Sequence, residues 1–259
     1  MSAILSIEAV SHRYGAKQAL DNVSFEIEKG SFALLLGPNG AGKSTLYTLL
    51  TQLLPLQAGR ISIAGHDISV APRAALAGLG IVFQSQTLDL DLSVEQNLRY
   101  FARLRGMGAR DAGRRIDGQL ERLGLAERRR EKVRALNGGH RRRLEIARAL
   151  LHEPEVLLLD EPTVGLDIPT RQRIVDDVHD LAADGRSTVL WATHLIDEAR
   201  AGDRIVLLHQ GSVRTQGEAR ALLDEHDCDD LATLFNKLTE RRPQAPLKGL
   251  TRQDAGGAT

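Results

Sequence analysis

The sequence predicts an α/β fold: a mostly parallel sheet core, an N-terminal antiparallel β subdomain and a helical subdomain. Three observations predict it. A continuous apolar run of strand length at residues 32–36, and apolar-rich stretches at 155–160, 187–193 and 204–208, suit strands buried on both faces. Between two of them, Ile174, Val175, Val178 and Leu181 recur at helical spacing within residues 169–183, and alternating strands and helices imply parallel strands. Residues 91–135 differ: they lack β-branched runs, are rich in Leu, Arg, Glu and Ala, and are punctuated by Gly106, Gly108, Gly113, Gly118 and Gly124.

In chain order, residues 5–10 and 23–27 alternate apolar and polar, which marks half-exposed strands of an antiparallel unit. Residues 32–36 form a buried strand, 46–50 continue as a helix, and 59–65 give another strand. Residues 80–83 make a buried strand ending at Gln84, and a helix opens near residue 136 and stops before Pro154. From about Arg241 the chain is poor in apolar residues and is expected to be a disordered tail.

The 259 residues are enough to bury a substantial core. Lys plus Arg and Asp plus Glu both number 34, so no global basic excess points to nucleic acid. Locally, residues 110–148 hold twelve Arg and one Lys against six acids. That stretch reads either as a nucleic-acid patch or as a helical surface facing solvent, an acidic partner or lipid headgroups; the shortage of aromatics for base stacking disfavours the first. A single cysteine, Cys228, excludes an internal disulfide and clustered zinc sites, and it lies among Asp227, Asp229 and Asp230, which disfavour a thiolate. No basic region followed by an apolar core opens the chain, so no signal peptide is expected. No apolar run approaches the roughly 20 residues of a spanning helix, so a membrane role must come through a partner.

The chemistry concentrates first in Gly37-Pro38-Asn39-Gly40-Ala41-Gly42-Lys43-Ser44-Thr45, which follows the first buried strand. It fits the phosphate-binding pattern G-x-x-x-x-G-K-[ST], which arises by chance in about one chain of this length in a hundred. The glycines let backbone N–H groups point at phosphate oxygens, Lys43 can reach the β- and γ-phosphates, and Ser44 can sit on Mg²⁺. The following helix start favours the anion. Such a loop serves kinases, GTPases and motors alike, so alone it names no function. The bland reading is a glycine turn with a surface lysine.

Residues 156–160 followed by Glu161-Pro162 resemble a Walker B strand with an added carboxylate. Asp160 at the strand's C-terminal end can hold the hydration shell of Mg²⁺, and Glu161 can orient or deprotonate an attacking water. Leu136-Asn137-Gly138-Gly139-His140 opens a helix with two successive glycines, a second anion-ready N-terminus. One phosphate loop per chain leaves it no evident use within the molecule, and a cap on the γ-phosphate bound by a second copy is the expected role.

In these motifs the chain resembles the ATP-binding cassette family, specifically the ATPase subunit of bacterial ABC transporters, over about residues 4–215. The resemblance implies ATP and Mg²⁺ as cofactors. It gives Tyr14 the place of the aromatic that stacks on adenine and Gln84 that of the glutamine linking the Mg²⁺ site to the transmembrane subunits. Residues 136–140 take the place of the Leu-Ser-Gly-Gly-Gln signature, residues 164–167, ending in Asp167, that of the dimer-interface loop, and His194 that of the switch histidine sensing the γ-phosphate. Asn137 and His140 depart from the signature. The asparagine amide can still donate to phosphate oxygen, and His140 can titrate near neutrality, where a cation at a helix N-terminus is disfavoured.

The resemblance divides the chain into an ATPase domain over 1–240 and the tail 241–259. Within the domain it implies a core plus β subdomain at about 1–90 and 136–220, a helical subdomain at about 91–150 overlapping it at the signature helix, and a helical extension at about 218–240. It implies a dimer with a second copy, closed by ATP and reopened by hydrolysis, acting on a separate transmembrane permease at the cytoplasmic side of the inner membrane. Within the family the chain looks like exporter ATPases of the daunorubicin-resistance and nodulation type, with a further likeness to those associated with pyrroloquinoline-quinone-dependent alcohol oxidation. An importer subunit, a soluble ATPase of translation or repair, and a small-molecule kinase are the alternatives. The soluble factors usually carry two cassettes, a long coiled coil or zinc ligands, and a kinase needs no signature helix acting in trans.

Overall fold

The computed structural model describes residues 3–185 and 187–239, so the expectation for 241–259 lies outside the described residues. The chain runs β1 (Ala3–Tyr14), β2 (Lys17–Glu28), β3 (Phe32–Leu36), α1 (Lys43–Leu50), β4 (Ala58–Ile63), β5 (His66–Asp67), α2 (Pro72–Ala77) and β6 (Leu79–Val82). Three helices follow, α3 (Val94–Leu104), α4 (Ala109–Arg122) and α5 (Gly138–Leu150). Then come β7 (Val156–Asp160), α6 (Ile168–Ala183), β8 (Thr188–Thr193), β9 (Arg204–His209), β10 (Ser212–Glu218), α7 (Ala219–Glu225) and α8 (Leu231–Thr239).

Two sheets result. The first, ordered β2-β1-β4-β5, is antiparallel. The second, ordered β10-β9-β3-β8-β7-β6, is parallel except for β10, which pairs antiparallel with β9. This is the mostly parallel core that the buried apolar runs predict. The period-2 alternation of its strands separates two cores. Phe32, Leu34, Leu36, Leu157, Leu159, Val189 and Trp191 face α5, α6 and the inserted helices. Ala33, Leu35, Val156, Leu158, Leu190 and Ala192 face α1 and the first sheet.

Local chemistry sets the helix starts. Ser93 and Gln96 form a reciprocal capping box on α3, and Asn137 and Asp167 each accept from the backbone N–H three residues on, capping α5 and α6. Sequence reasoning passed over α2 and β10. The first is only six residues long and opened by Pro72, too short to show helical spacing, and β10 is an edge strand without a fully buried residue.

The arginines of residues 110–148 are largely paired with nearby acids: Arg114 and Arg115 with Asp111, Arg122 with Asp184, Arg128 with Glu131, Arg134 with Asp91, and Arg143 with Asp177. Arg129 ties three elements, reaching Glu95 on α3 at 2.8 Å and Asp117 on α4 at 2.8 Å. The hydrogen bond from Arg129, seconded by one from Arg99, holds the Glu95 carboxyl down from its ordinary 4.5 to about 2. A depressed acid stabilises the fold above its unfolded pKa, and that stability drains away as pH falls from 4.5 toward 2. Because the pair is partly solvated, its worth is about 1 kcal/mol. Glu95→Gln should therefore lower the urea midpoint at pH 6, while at pH 2.5 the gap between wild type and variant should be much smaller.

Candidate functional site

The loop between β3 and α1 lies at the C-terminal end of a central strand, where ligands meet open α/β sheets. Gly42 stands at the N-cap of α1 with φ of 114°, and a Cβ there would meet the Ala19 carbonyl at 2.8 Å. The turn that aims backbone N–H groups inward thus requires glycine at this position. A cleft of about 390 Å³ opens over it, lined by Tyr14 at the end of β1, Lys17, Gln18 and Ala19 at the start of β2, residues 39–45, Gln84, Glu161, Gln210 and Gly211. Of the residues singled out in the sequence, Tyr14, Asn39, Gly40, Ala41, Gly42, Lys43, Ser44, Thr45, Gln84 and Glu161 meet around this one cleft.

A chain of polar contacts links Lys43, Glu161 and His194. Lys43 Nζ donates to the Gly37 carbonyl at 2.7 Å and lies 3.1 Å from Glu161 Oε1; Glu161 Oε2 lies 2.7 Å from His194 Nδ1. Pro38 adds a further carbonyl beside Lys43, at 3.5 Å. Glu161 holds a left-handed φ of 48°, a conformation costing about 1–3 kcal/mol for a non-glycine residue. Its N–H donates to the Ala192 carbonyl on β8 at 2.9 Å, which fixes the carboxylate between lysine and histidine. Tyr47 braces the floor from below, its hydroxyl donating to the Leu190 carbonyl at 2.7 Å and lying 3.1 Å from that of Leu159.

Asp160 is buried, and its Oδ1 has no hydrogen-bond partner. Desolvation first, and the neighbouring Glu161 charge second, raise its pKa from 3.8 to about 6. An orphaned carboxylate oxygen beside a phosphate loop is what a divalent cation would satisfy, so the residues fit Mg²⁺. Among the described residues no three His, Cys, Asp or Glu side chains converge as a metal cage. A magnesium ion bound through one carboxylate and nucleotide phosphates needs none.

The second anion-ready start lies elsewhere: Asn137, Gly138, Gly139 and Asp167 do not line the cleft. Asn137 Oδ1 accepts from the His140 N–H at 2.9 Å. The two glycines also have neighbours within their own chain. A Cβ on Gly139 would lie 2.3 Å from Thr170 Cγ2, and one on Gly138 would lie 3.1 Å from Leu166 Cδ2. Their close approach is to the start of α6 in the same chain, so a side chain at 139 would disturb the fold before it touched a phosphate. His140 differs from expectation: burial, then Arg128 and Arg143, lower its pKa, so it stays neutral at neutral pH. Asp167 Oδ1 caps α6 through the Thr170 N–H at 3.0 Å.

One buried acid and two cleft-lining segments carry no motif. Glu198 is buried in the turn after His194, where it accepts from Trp191 Nε1 at 2.9 Å and bonds Thr163 Oγ1. It thereby joins the histidine turn to the segment after Glu161. The start of β2 at Lys17, Gln18 and Ala19 and the Gln210–Gly211 turn complete the cleft.

The geometry fits a nucleotide-triphosphate site, and comparison with known proteins names the family. Residues 20–164 match the ABC transporter family. The chain is 40% identical over 248 residues to the daunorubicin resistance ATP-binding protein DrrA3 of Streptomyces coeruleorubidus, covering 95% of this chain and 78% of that protein. It is 38% identical over 259 residues to the Nod factor export ATP-binding protein I of Ralstonia nicotianae, covering 99% of this chain and 80% of that one. Among solved structures, an ATP-binding subunit of an ABC transporter superposes with a TM-score of 0.81 at 28% identity, covering 92% of this chain and 100% of that one. The cbiO1 protein of Clostridium perfringens, part of the transporter complex cbiONQ, gives 0.79 at 29% identity, with 88% and 93% covered. The chain belongs to the ABC transporter family. It is an ATP-binding, ATP-hydrolysing transporter subunit, and among the described residues no helix is long and apolar enough to cross a membrane.

Proposed function

We propose that the chain works as half of a dimer in which each ATP lies between the phosphate loop of one copy and the start of α5 of the other. The observation that carries this is the orientation of Asn137. Its Oδ1 is committed to the cap on His140, which leaves the Nδ2 amide as a donor beside the free N–H groups of the first turn of α5. That donor set lies away from the chain's own cleft. A phosphate presented by a second copy supplies its acceptor.

In the cleft, Tyr14 stacks on the base and the N–H groups of residues 39–45 cradle the phosphates. Lys43 exchanges its Glu161 contact for phosphate oxygen, which frees the Glu161 carboxylate to take a proton from water. His194, bonded to that carboxylate, holds the γ-phosphate end. Mg²⁺, held by Ser44, Gln84 and Asp160, would neutralise phosphate charge. ATP closes the dimer because its γ-phosphate touches both copies, and hydrolysis removes that differential contact. The names of the relatives support an exporter. The subunit then works at the cytoplasmic side of the inner membrane, through a separate permease; co-purification with a multi-span protein from detergent-solubilised membranes tests this.

Asn137→Asp separates capping from phosphate binding. Aspartate caps a helix as well as asparagine does, so the melting temperature should hold. Its charge would face the partner's γ-phosphate, and turnover should fall about 100-fold while ATP binding to the cis loop stays within about threefold. Asn137→Ser, which keeps both a cap and a donor, should retain activity. Steady-state ATPase assays and nucleotide titrations decide it; wild-type turnover in Asn137→Asp would contradict the trans role.

A further inference from the structure

Three side chains on one flank of α5, three residues apart, grip the irregular segment that leaves β6. Arg142 Nη1 donates to the Phe83 carbonyl at 2.8 Å, and Nη2 donates to the Gln84 carbonyl at 3.1 Å. Glu145 Oε2 accepts from Arg142 Nη1 at 2.7 Å, while its Oε1 accepts from the Thr87 N–H at 2.9 Å. Arg148 Nη1 donates to Thr87 Oγ1 at 2.7 Å. Arg142 and Glu145 are 8% and 1% exposed. A buried ion pair brings little net stability compared with apolar residues of the same volume. What this pair does bring is geometry. A planar guanidinium spans two successive carbonyls, a carboxylate takes the amide three residues on, and Gln84 between them lines the nucleotide cleft.

We propose that Arg142, aligned by Glu145, is the positioning residue for Gln84. The clamp makes residues 83–87 and α5 one rigid piece. Asn137 caps the start of the same helix, five residues before Arg142, a rise of about 8 Å. The piece therefore carries Gln84 at one nucleotide and the Asn137 amide at the other. Closure of α5 on the partner's phosphate then sets Gln84 in the cis cleft, which couples the two sites. The Gln84 half of this proposal stands on contacts within one chain; the coupling half rests on the trans reading of Asn137.

The test replaces the pair together, as Arg142→Met with Glu145→Met, so that neither member is left as a buried charge without the other. Hydrogen exchange on the nucleotide-free protein should show the Thr87 amide exchanging at least about tenfold faster, with the β7 and β8 amides unchanged. ATP binding without Mg²⁺ should stay within about threefold of wild type, and turnover should fall about 10- to 100-fold. Adding Gln84→Ala to the double variant should cost less than about threefold more, although Gln84→Ala alone costs as much as the double variant, because both act on one group. Unchanged exchange at Thr87 would overturn the clamp. Penalties that multiply, or a Gln84→Ala variant with wild-type turnover, would overturn its action through Gln84. If Asn137→Asp kept full turnover while these results held, the trans reading would fail and the Gln84 positioning would stand.

Discussion

Glu161→Gln should reduce ATP turnover by about 1,000-fold while ATP binding stays within about threefold of wild type. The structure gives the reason for both halves. Glu161 contacts Lys43 at 3.1 Å and His194 at 2.7 Å, so an amide of the same shape keeps the floor of the cleft filled. An amide is nevertheless a far poorer base than a carboxylate, and the water it faces would lose its proton acceptor. The left-handed backbone at Glu161 is unaffected by the change, since strain there depends on the Cβ and not on the head group. Near-wild-type turnover in this variant, measured as phosphate release from pure protein, would remove Glu161 from the chemistry.

Lys43→Ala should abolish hydrolysis and weaken ATP binding by at least about tenfold. Lys43 is 5% exposed and is the cation facing Glu161 along the cleft floor. Its removal also leaves Glu161 beside Asp160, two buried carboxylates without their nearest positive charge. The nucleotide-free variant should for that reason melt below wild type, and titration to pH 5 should narrow the gap, because protonating Asp160 relieves the repulsion. Retained hydrolysis in Lys43→Ala would show that the loop does not hold the reacting phosphates.

The phosphate loop was legible in the sequence because its geometry demands glycine and lysine at fixed spacing, and the buried strands because parallel strands covered on both faces admit few polar residues. The inserted helices were legible as a class from composition, though not as the network that joins them. Arg129 binds Glu95 and Asp117 from a separate turn, a relation set by folding and not by sequence distance. The same holds for Arg142, whose partners Phe83 and Gln84 lie 59 and 58 residues away. The glycines after Asn137 have a packing reason that the sequence alone does not show. Paired glycines at a helix start suggest room for an anion, yet it is Leu166 and Thr170 that occupy the space beside them. Glu198 carried no signal of burial, since an acid directly after Asp197 reads as solvated surface.

The central claim is that ATP joins two copies through the start of α5, and the most direct measurement is the mass of Glu161→Gln with and without nucleotide. Size-exclusion chromatography with light scattering at micromolar protein should give a monomer alone and a dimer in millimolar Mg-ATP, because closure is no longer undone by hydrolysis. Adding Asn137→Asp to the same protein should return it to a monomer while ATP remains bound. A Glu161→Gln protein that binds Mg-ATP and stays monomeric, or a dimer indifferent to Asn137→Asp, would contradict the account.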